Sequence, residues 1–66
     1  MIKQYQKVRV LTDDFSGEGV HAGDVGYVIE CYPGGRYEVE VSGAGGITVA
    51  QFVAEEKDIE VADSVS

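Results

Sequence analysis

The side chains of this chain that could do chemistry are one histidine, one cysteine and scattered groups of carboxylates. His21 has Glu18 and Asp24 nearby in the sequence and could therefore act as a general base. A base of this kind needs a nucleophile, but the chain offers no serine in a strained turn and no second cysteine. We therefore interpret His21 as a polar residue of a surface loop.

A run of carboxylates stands near the C-terminal end of the sequence. Glu55, Glu56 and Asp58 suggest an acid–base pair or a calcium site, in combination with Asp24 or Glu60. Their spacing does not match an EF-hand loop, and such a run at the end of a β-domain is usually solvated. The sequence therefore predicts no metal site here, and we expect these carboxylates to face water.

The remaining candidates for chemistry are Cys31 and two glycine pairs, at 34–35 and 45–46. Cys31 lacks the nearby positive charge that thiol reactivity needs, so we expect it to be a small core side chain. The glycine pairs join strand to strand and lack the helix N-terminus that a phosphate-binding loop uses. We therefore predict that the protein is not an enzyme and binds no cofactor.

The charge of the chain is strongly negative, because twelve acidic residues against five basic ones give a formal net charge of −7. Nucleic acid attracts clustered Lys and Arg, whereas the basic residues here stand singly among carboxylates. Nucleic acid is therefore not a predicted partner. Two interpretations of the acidity stay open: it keeps the protein soluble, or it complements a basic partner protein.

Length and hydropathy limit the kind of protein further. Sixty-six residues suffice for one small domain, and a single cysteine cannot form an intrachain disulfide. The sequence has no apolar run of membrane-spanning length, and residues 3–9 are too polar for a signal peptide. We therefore expect a cytoplasmic protein with no membrane partner. The sequence carries no signal for an oligomeric state.

Apolar and polar residues alternate in short segments separated by turn residues, which is typical of β-strands. Gly26 interrupts the second segment and predicts a bulge or a close crossing of backbones. Before the last segment, residues 54–58 have helical propensity over about one turn, which predicts a 3₁₀ turn. The predicted strands are 7–11, 25–32, 36–41, 47–52 and 59–61.

The order of these elements predicts an all-β fold, a small five-stranded SH3-like barrel with one 3₁₀ turn before the last strand. A single domain should span 1–66, with its core at about 6–61 and a flexible tail at 62–66. Pairing of the first and last strands would remove exposed sheet edges. Lys7 and Arg9 would then face Glu60 or Asp58.

The segment 12–23 is rich in turn residues and predicts one surface loop, which is long for so small a domain. Phe15 in this loop either folds back onto the barrel or anchors a partner. Tyr5 and Tyr32, near the ends of strands, either cap the barrel or contact a partner. The predicted partner-binding residues are Asp13, Asp14, Phe15, Glu18, His21 and Tyr32.

Four sequence motifs carry a resemblance to a known family: KVRVL at 7–11, AGDVGYV at 22–28, YEVEV at 37–41 and VAQF at 49–52. Over about 6–61 the chain resembles a bacterial family of short SH3-like proteins of unknown function. Some very small acidic proteins of this type resemble immunity proteins or antitoxins, which cover the active site of a basic toxin domain. The resemblance implies a non-catalytic protein-binding module with a basic partner.

A second resemblance is to the SH3-like accessory subunits of photosynthetic electron-transfer complexes, on the first strand, the second strand and residues 52–59. It implies the alternative function of an accessory structural subunit in a larger redox or enzyme complex. Those subunits present basic residues to acidic ferredoxin, and this chain has the opposite charge. A third resemblance is to ribosome-associated barrels that also have Gly-Asp at the start of a strand. The charge of this chain differs from theirs in the same way.

Overall fold

The computed structural model of the chain describes residues 2–43, 45 and 47–62. These residues form β-strands, with short 3₁₀ turns at Ser16–Glu18 and Glu56–Asp58. The strands are β1 (Lys7–Val10), β2 (Val25–Tyr32), β3 (Arg36–Ser42), β4 (Thr48–Glu55) and β5 (Ile59–Val61). The predicted all-β class, the five strands and the 3₁₀ turn before the last strand are confirmed for the described residues.

The strands form an antiparallel sheet in the order β4-β3-β2-β1-β5. The predicted pairing of the first and last strands is confirmed, since Val10 lies opposite Ile59. Arg9 faces Glu60 as expected, with its Nη1 3.2 Å from the carboxylate Oε2. Within the described residues, however, β4 and β5 each pair on one side only. Closure of the sheet into an SH3-like barrel stays a prediction.

The core lies on one face of this sheet, because alternate side chains of a strand point to the same side. In β3 the predicted inward residues Tyr37, Val39 and Val41 are buried, whereas Arg36 is exposed. The core also takes in Ile2, which precedes the predicted core segment. Its buried apolar members are Ile2, Val8, Val10, Val20, Val28, Tyr37, Val39, Val41, Ala50, Phe52, Ala54 and Ile59.

Gly26 allows β2 to pass close to β3. A Cβ at this position would lie 2.5 Å from the Glu40 carbonyl oxygen and 2.9 Å from Val41 Cγ2. Of the two roles predicted for Gly26, the structure therefore shows the close crossing. The bulge lies further along, between Val28 and Glu30, where β2 contains one more residue than the β3 segment opposite.

Long-range pairing moves several of the predicted boundaries. The predicted 3₁₀ turn at 54–58 is too long, because Ala54 and Glu55 pair with Tyr37 and Arg36 of β3 and so extend β4. This pairing overrides their local helical propensity. β1 ends one residue earlier than expected and β3 reaches Ser42. Of the predicted turn at 42–46 and tail at 62–66, Ala44, Gly46 and residues 63–66 lie outside the described residues.

Two expectations about burial are wrong. Cys31 is exposed and not part of the core, because the buried part of β2 is its first half, and segment 30–32 extends beyond it. In the carboxylate run, Glu55 and Glu56 are exposed as expected, but Asp58 is only 7% exposed. It is buried because its side chain completes a capping box with Glu55, in which each carboxylate accepts the other residue's backbone N–H.

Candidate functional site

The long loop, residues 12–23, is held in shape by its own side chains. Asp13 Oδ1 accepts a hydrogen bond from the backbone N–H of Ala22 at 2.9 Å, across the width of the loop. Near its end, Asp24 Oδ2 accepts one from the N–H of His21 at 2.9 Å. Asp13 therefore stabilises the loop, and the imidazole of His21 is exposed above that turn.

Phe15 joins the long loop to the core. Its ring lies against that of Phe52 in β4, with the ring centroids 4.4 Å apart and the planes inclined by 34°. The side chain is half-buried and packs against the core cluster. Of the two roles left open for Phe15, the structure therefore shows the one in which it folds back, and only part of the ring is accessible to a partner.

The long loop also approaches the 3₁₀ turn before β5. The pKa of Lys57 in that turn is raised, first by its hydrogen bond to Asp58 at 3.0 Å and by the Asp58 charge, and to a lesser extent by Glu55 and Asp14. The backbone joins the two segments as well, because the N–H of Leu11, directly before the long loop, donates to the carbonyl oxygen of Asp58 at 2.8 Å. Glu18 is exposed in the loop's own 3₁₀ turn.

A second group of carboxylates lies on the outward side of the sheet. Glu30 of β2 is directly opposite Glu38 of β3, and Tyr27 is opposite Glu40. Tyr32, two residues after Glu30, therefore lies on the same side. We call these five residues the acidic sheet face. Tyr27, Glu30 and Tyr32 are exposed, whereas Glu38 and Glu40 are half-buried, so a partner can reach Glu30 most easily.

Tyr32 is tied into the acidic sheet face by its hydroxyl, which donates a hydrogen bond to Glu38 Oε1 at 2.8 Å. That bond raises the pKa of Tyr32, with smaller contributions from partial burial and from the charges of Glu38 and Glu30. The charges of both carboxylates therefore act on the Tyr32 hydroxyl. The tyrosine donates a hydrogen bond but brings no positive charge to neutralise the pair.

The acidic sheet face has three carboxylates and two basic neighbours, Lys7 opposite Tyr27 and Arg36 opposite Tyr32. Like charges directly opposite each other on a sheet are destabilising. In the part of the chain that the structure describes, the ion pairs are Arg9–Glu60 and Lys57–Asp58, and neither involves this face. Glu30 and Glu38 therefore lie opposite each other without an ion pair among the described residues, and Glu38 accepts the hydrogen bond of the Tyr32 hydroxyl.

Comparison with known proteins places this architecture in a family. Residues 7–61, from the start of β1 to the end of β5, match DUF4926, a domain of unknown function. The chain belongs to the DUF4926 family. No curated protein and no solved structure matches it. The family description names no fold and no activity, so the SH3-like relationship stays a prediction.

The DUF4926 domain divides the residues that the sequence predicted as one partner-binding group. Five of them lie in the long loop, where Phe15 contacts the inward side of β4. Tyr32 belongs to the outward acidic sheet face. The two sets are thus on different sides of the sheet, because inward and outward side chains alternate along a strand.

Sequence reasoning missed most of the acidic sheet face. The alternation in β3 already places Glu38 and Glu40 on the solvent side. The opposition of Glu30 and Glu38 depends on the bulge in β2, which shifts the register by one residue. No local pattern signals that shift, so Glu30 and Tyr27 were not predicted.

Among the described residues of this DUF4926 domain, no helix has the length and apolar character needed to cross a membrane.

Proposed function

We propose that this protein is a non-catalytic binding module whose acidic sheet face docks on a basic protein, most concretely as an immunity protein or antitoxin that covers a basic toxin domain. The observation that carries the proposal is the opposition of Glu30 and Glu38 on an exposed sheet face. Lys or Arg side chains of a partner would neutralise both carboxylates. The formal charge of −7 would also steer a basic partner toward the protein.

The tyrosines of the acidic sheet face supply the other component that a protein interface needs. Tyr27 and Tyr32 are each about half exposed, at 50% and 41%. A tyrosine offers a large apolar ring and a polar hydroxyl at low cost in conformational entropy, and is enriched in interfaces. The face therefore combines charge that selects a partner with apolar area that holds it.

The long loop has a supporting role in this proposal. Asp14 and Glu18 are exposed and extend the negative surface, whereas Asp13 and Phe15 hold the loop in place. Because the long loop lies on the other side of the sheet, its carboxylates would add to the steering of a basic partner and not to the docked contact. Of the predicted partner-binding residues, Tyr32 would therefore contact the partner, whereas Asp13 and Phe15 would stabilise the loop.

A test of the proposal compares the wild type with a Glu30→Gln/Glu38→Gln variant. Both proteins are immobilised, and proteins from the native host retained only by the wild type are identified by mass spectrometry. The purified partner is then titrated at low and at physiological salt. We expect a partner with a basic surface, bound about tenfold more weakly at the higher salt and weakened again by the double variant. An acidic partner, or binding insensitive to salt, would show the proposal to be wrong.

Two further measurements sharpen this test. Glu18→Gln makes a carboxylate-to-amide change on the long loop, and a smaller loss of affinity than with Glu38→Gln would place the contact on the sheet face. The isolated Glu30→Gln variant should be more stable than the wild type by up to about 1 kcal/mol, because it removes like-charge repulsion. Inhibition of the partner's own activity supports the immunity function. A partner that is a redox or enzyme subunit and becomes more active on binding supports the accessory role.

A further inference from the structure

β4 offers a long free edge of the sheet. Within the described residues it pairs with β3 on one side, and the backbone of segment 48–54 has no bond to the long loop or to another strand. An edge strand presents a row of N–H and C=O groups to any extended chain that approaches it. The opposite edge is β5, which has only three residues and carries Glu60.

The edge of β4 has few of the features that usually prevent strand addition, apart from a bulge at its start and Glu55 at its end. Such edges are protected by charges, prolines, bulges or short length. Segment 48–54 reads TVAQFVA and contains neither a charge nor a proline. Its one irregularity of register lies at the start, opposite Val41 and Ser42, and from Ala50 to Glu55 the pairing with β3 is regular. The free edge is therefore ready to accept a further strand.

The charges beside this edge decide what can occupy it. On β3, Glu40 lies opposite Gln51 and Glu38 lies opposite Val53, so two carboxylates stand one strand inside the edge. A strand added outside β4 would be about 10 Å from β3, within reach of Lys or Arg side chains pointing to the same face. A second copy of this chain would instead bring two acidic faces together, each from a molecule of net charge −7.

We propose that an extended basic segment of the partner adds to the free edge of β4 as a further strand, with its Lys or Arg side chains beside Glu38 and Glu40. Backbone hydrogen bonds would supply the register, and the exposed Val49 and Val53 would pack against the aliphatic stems of those Lys or Arg side chains, which lie on the same side of the sheet. This inference rests on the proposed function for the sign of the partner's charge. It adds the mode of binding, which that function leaves open.

The test uses peptides as long as β4. The first alternates Lys and Val, the second has the same sequence with every peptide nitrogen methylated, and the third has Glu in place of Lys. Methylation keeps the charge and the side chains but removes the donors for backbone pairing. We expect the first peptide to bind about tenfold more tightly than the second, because several backbone hydrogen bonds are lost. The third should not bind.

Amide hydrogen exchange measured by NMR locates the added strand. Alternate amides in segment 50–54 should exchange more slowly with the first peptide, and those of β5 should not change. Val53→Lys should weaken binding of the first peptide. The matched control is Val61→Lys, which makes the same charge change at an exposed valine on β5 and should leave binding unchanged.

Each contrary outcome overturns strand addition at β4. Equal affinity of the methylated and unmodified peptides would mean that the basic peptide binds through its side chains alone, without backbone pairing to β4. If the β4 amides exchange more slowly at higher protein concentration without any peptide, a second copy of this chain pairs with the free edge. Failure of the first peptide to bind would also reject this mode. The proposed function is judged separately, by the charge and salt dependence of the captured partner.

Discussion

The rings of Phe15 and Phe52 lie 4.4 Å apart between centroids and tie the long loop to β4. Phe15→Ala removes the loop's half of this contact. We expect the free energy of unfolding to fall by about 2 kcal/mol, below the cost of a fully buried phenylalanine because the ring is half-buried. Urea denaturation followed by circular dichroism measures the change.

The control for this prediction is Phe15→Leu, which keeps an apolar side chain against Phe52 and should lose less than half as much stability. An alanine variant that unfolds at the same urea concentration as the wild type would mean that the ring contributes nothing to the fold. In that case partner binding would be the better account of Phe15.

Gly26→Ala should destabilise the protein through a close contact between strands. The added Cβ would lie 2.5 Å from the Glu40 carbonyl oxygen, so β2 and β3 must move apart. We expect a loss of about 1–3 kcal/mol in the free energy of unfolding, the usual cost of overpacking. Gly17→Ala is the matched control, because a Cβ there meets nothing within 4 Å. Equal effects of the two substitutions would contradict the close crossing.

Asp58→Ala should weaken the 3₁₀ turn before β5. The substitution removes the acceptor of the Glu55 backbone N–H, 3.0 Å from Asp58 Oδ2, and the partner of Lys57. We expect a loss of about 1–2 kcal/mol, typical of a lost cap. Asp58→Asn retains an oxygen acceptor and should lose less. Thermal unfolding of the three proteins would show this order, and an asparagine variant no better than alanine would contradict the capping role.

The stability of the protein should fall at alkaline pH. The Tyr37 hydroxyl donates to Glu56 Oε1 at 3.0 Å, and this hydrogen bond, followed by burial, raises the pKa of Tyr37 above its ordinary value of 10.0. The folded state therefore holds the proton more tightly than the unfolded state. The resulting stability is complete below about pH 10 and is lost as the pH rises through the folded-state pKa.

Tyr32 and Lys57 act in the same direction, because their pKa values are also raised in the folded protein. Urea midpoints at about pH 8 and about pH 11 should therefore differ, with the lower midpoint at the higher pH. Tyr37→Phe has no hydroxyl to titrate and should reduce that difference. A midpoint independent of pH over this range would argue against the tyrosine–glutamate hydrogen bonds.

Tyr5 occupies a backbone conformation that favours glycine. Its φ is 70°, the residue is 73% exposed, and its N–H donates to the carbonyl oxygen of Val28. Tyr5→Gly should therefore be more stable than Tyr5→Ala by about 1 kcal/mol, since both lose the ring and only glycine avoids the strain. Chemical denaturation of the pair measures the difference. An alanine variant as stable as the glycine variant would contradict the left-handed conformation.

The local pattern of the sequence was enough to locate most strands. The bounds of β2 and β5 agree with prediction, and the inward residues of β3 were identified by their alternation with charged neighbours. The turn at Gly34 and Gly35 was also predicted, and both residues have positive φ, at 83° and 73°. These features depend on a few adjacent residues, because strand periodicity and turn conformation are local properties.

The candidate site depended on which residues are brought together across the sheet. Glu30 lies opposite Glu38 because a bulge shifts the register of β2, and Glu55 remains in a strand because Arg36 lies opposite it. Phe15 contacts Phe52 only because the long loop folds back onto β4. Each of these contacts joins residues that are not adjacent in the chain.

The sequence by itself thus determined the all-β class, the excess of negative charge and the side of β3 that faces water. Only the tertiary structure decided that Asp58 is buried, that Cys31 is exposed and that the carboxylates of the acidic sheet face are opposed. The physical reason is that alternation shows which way a side chain points, whereas register and long-range packing decide what it meets there.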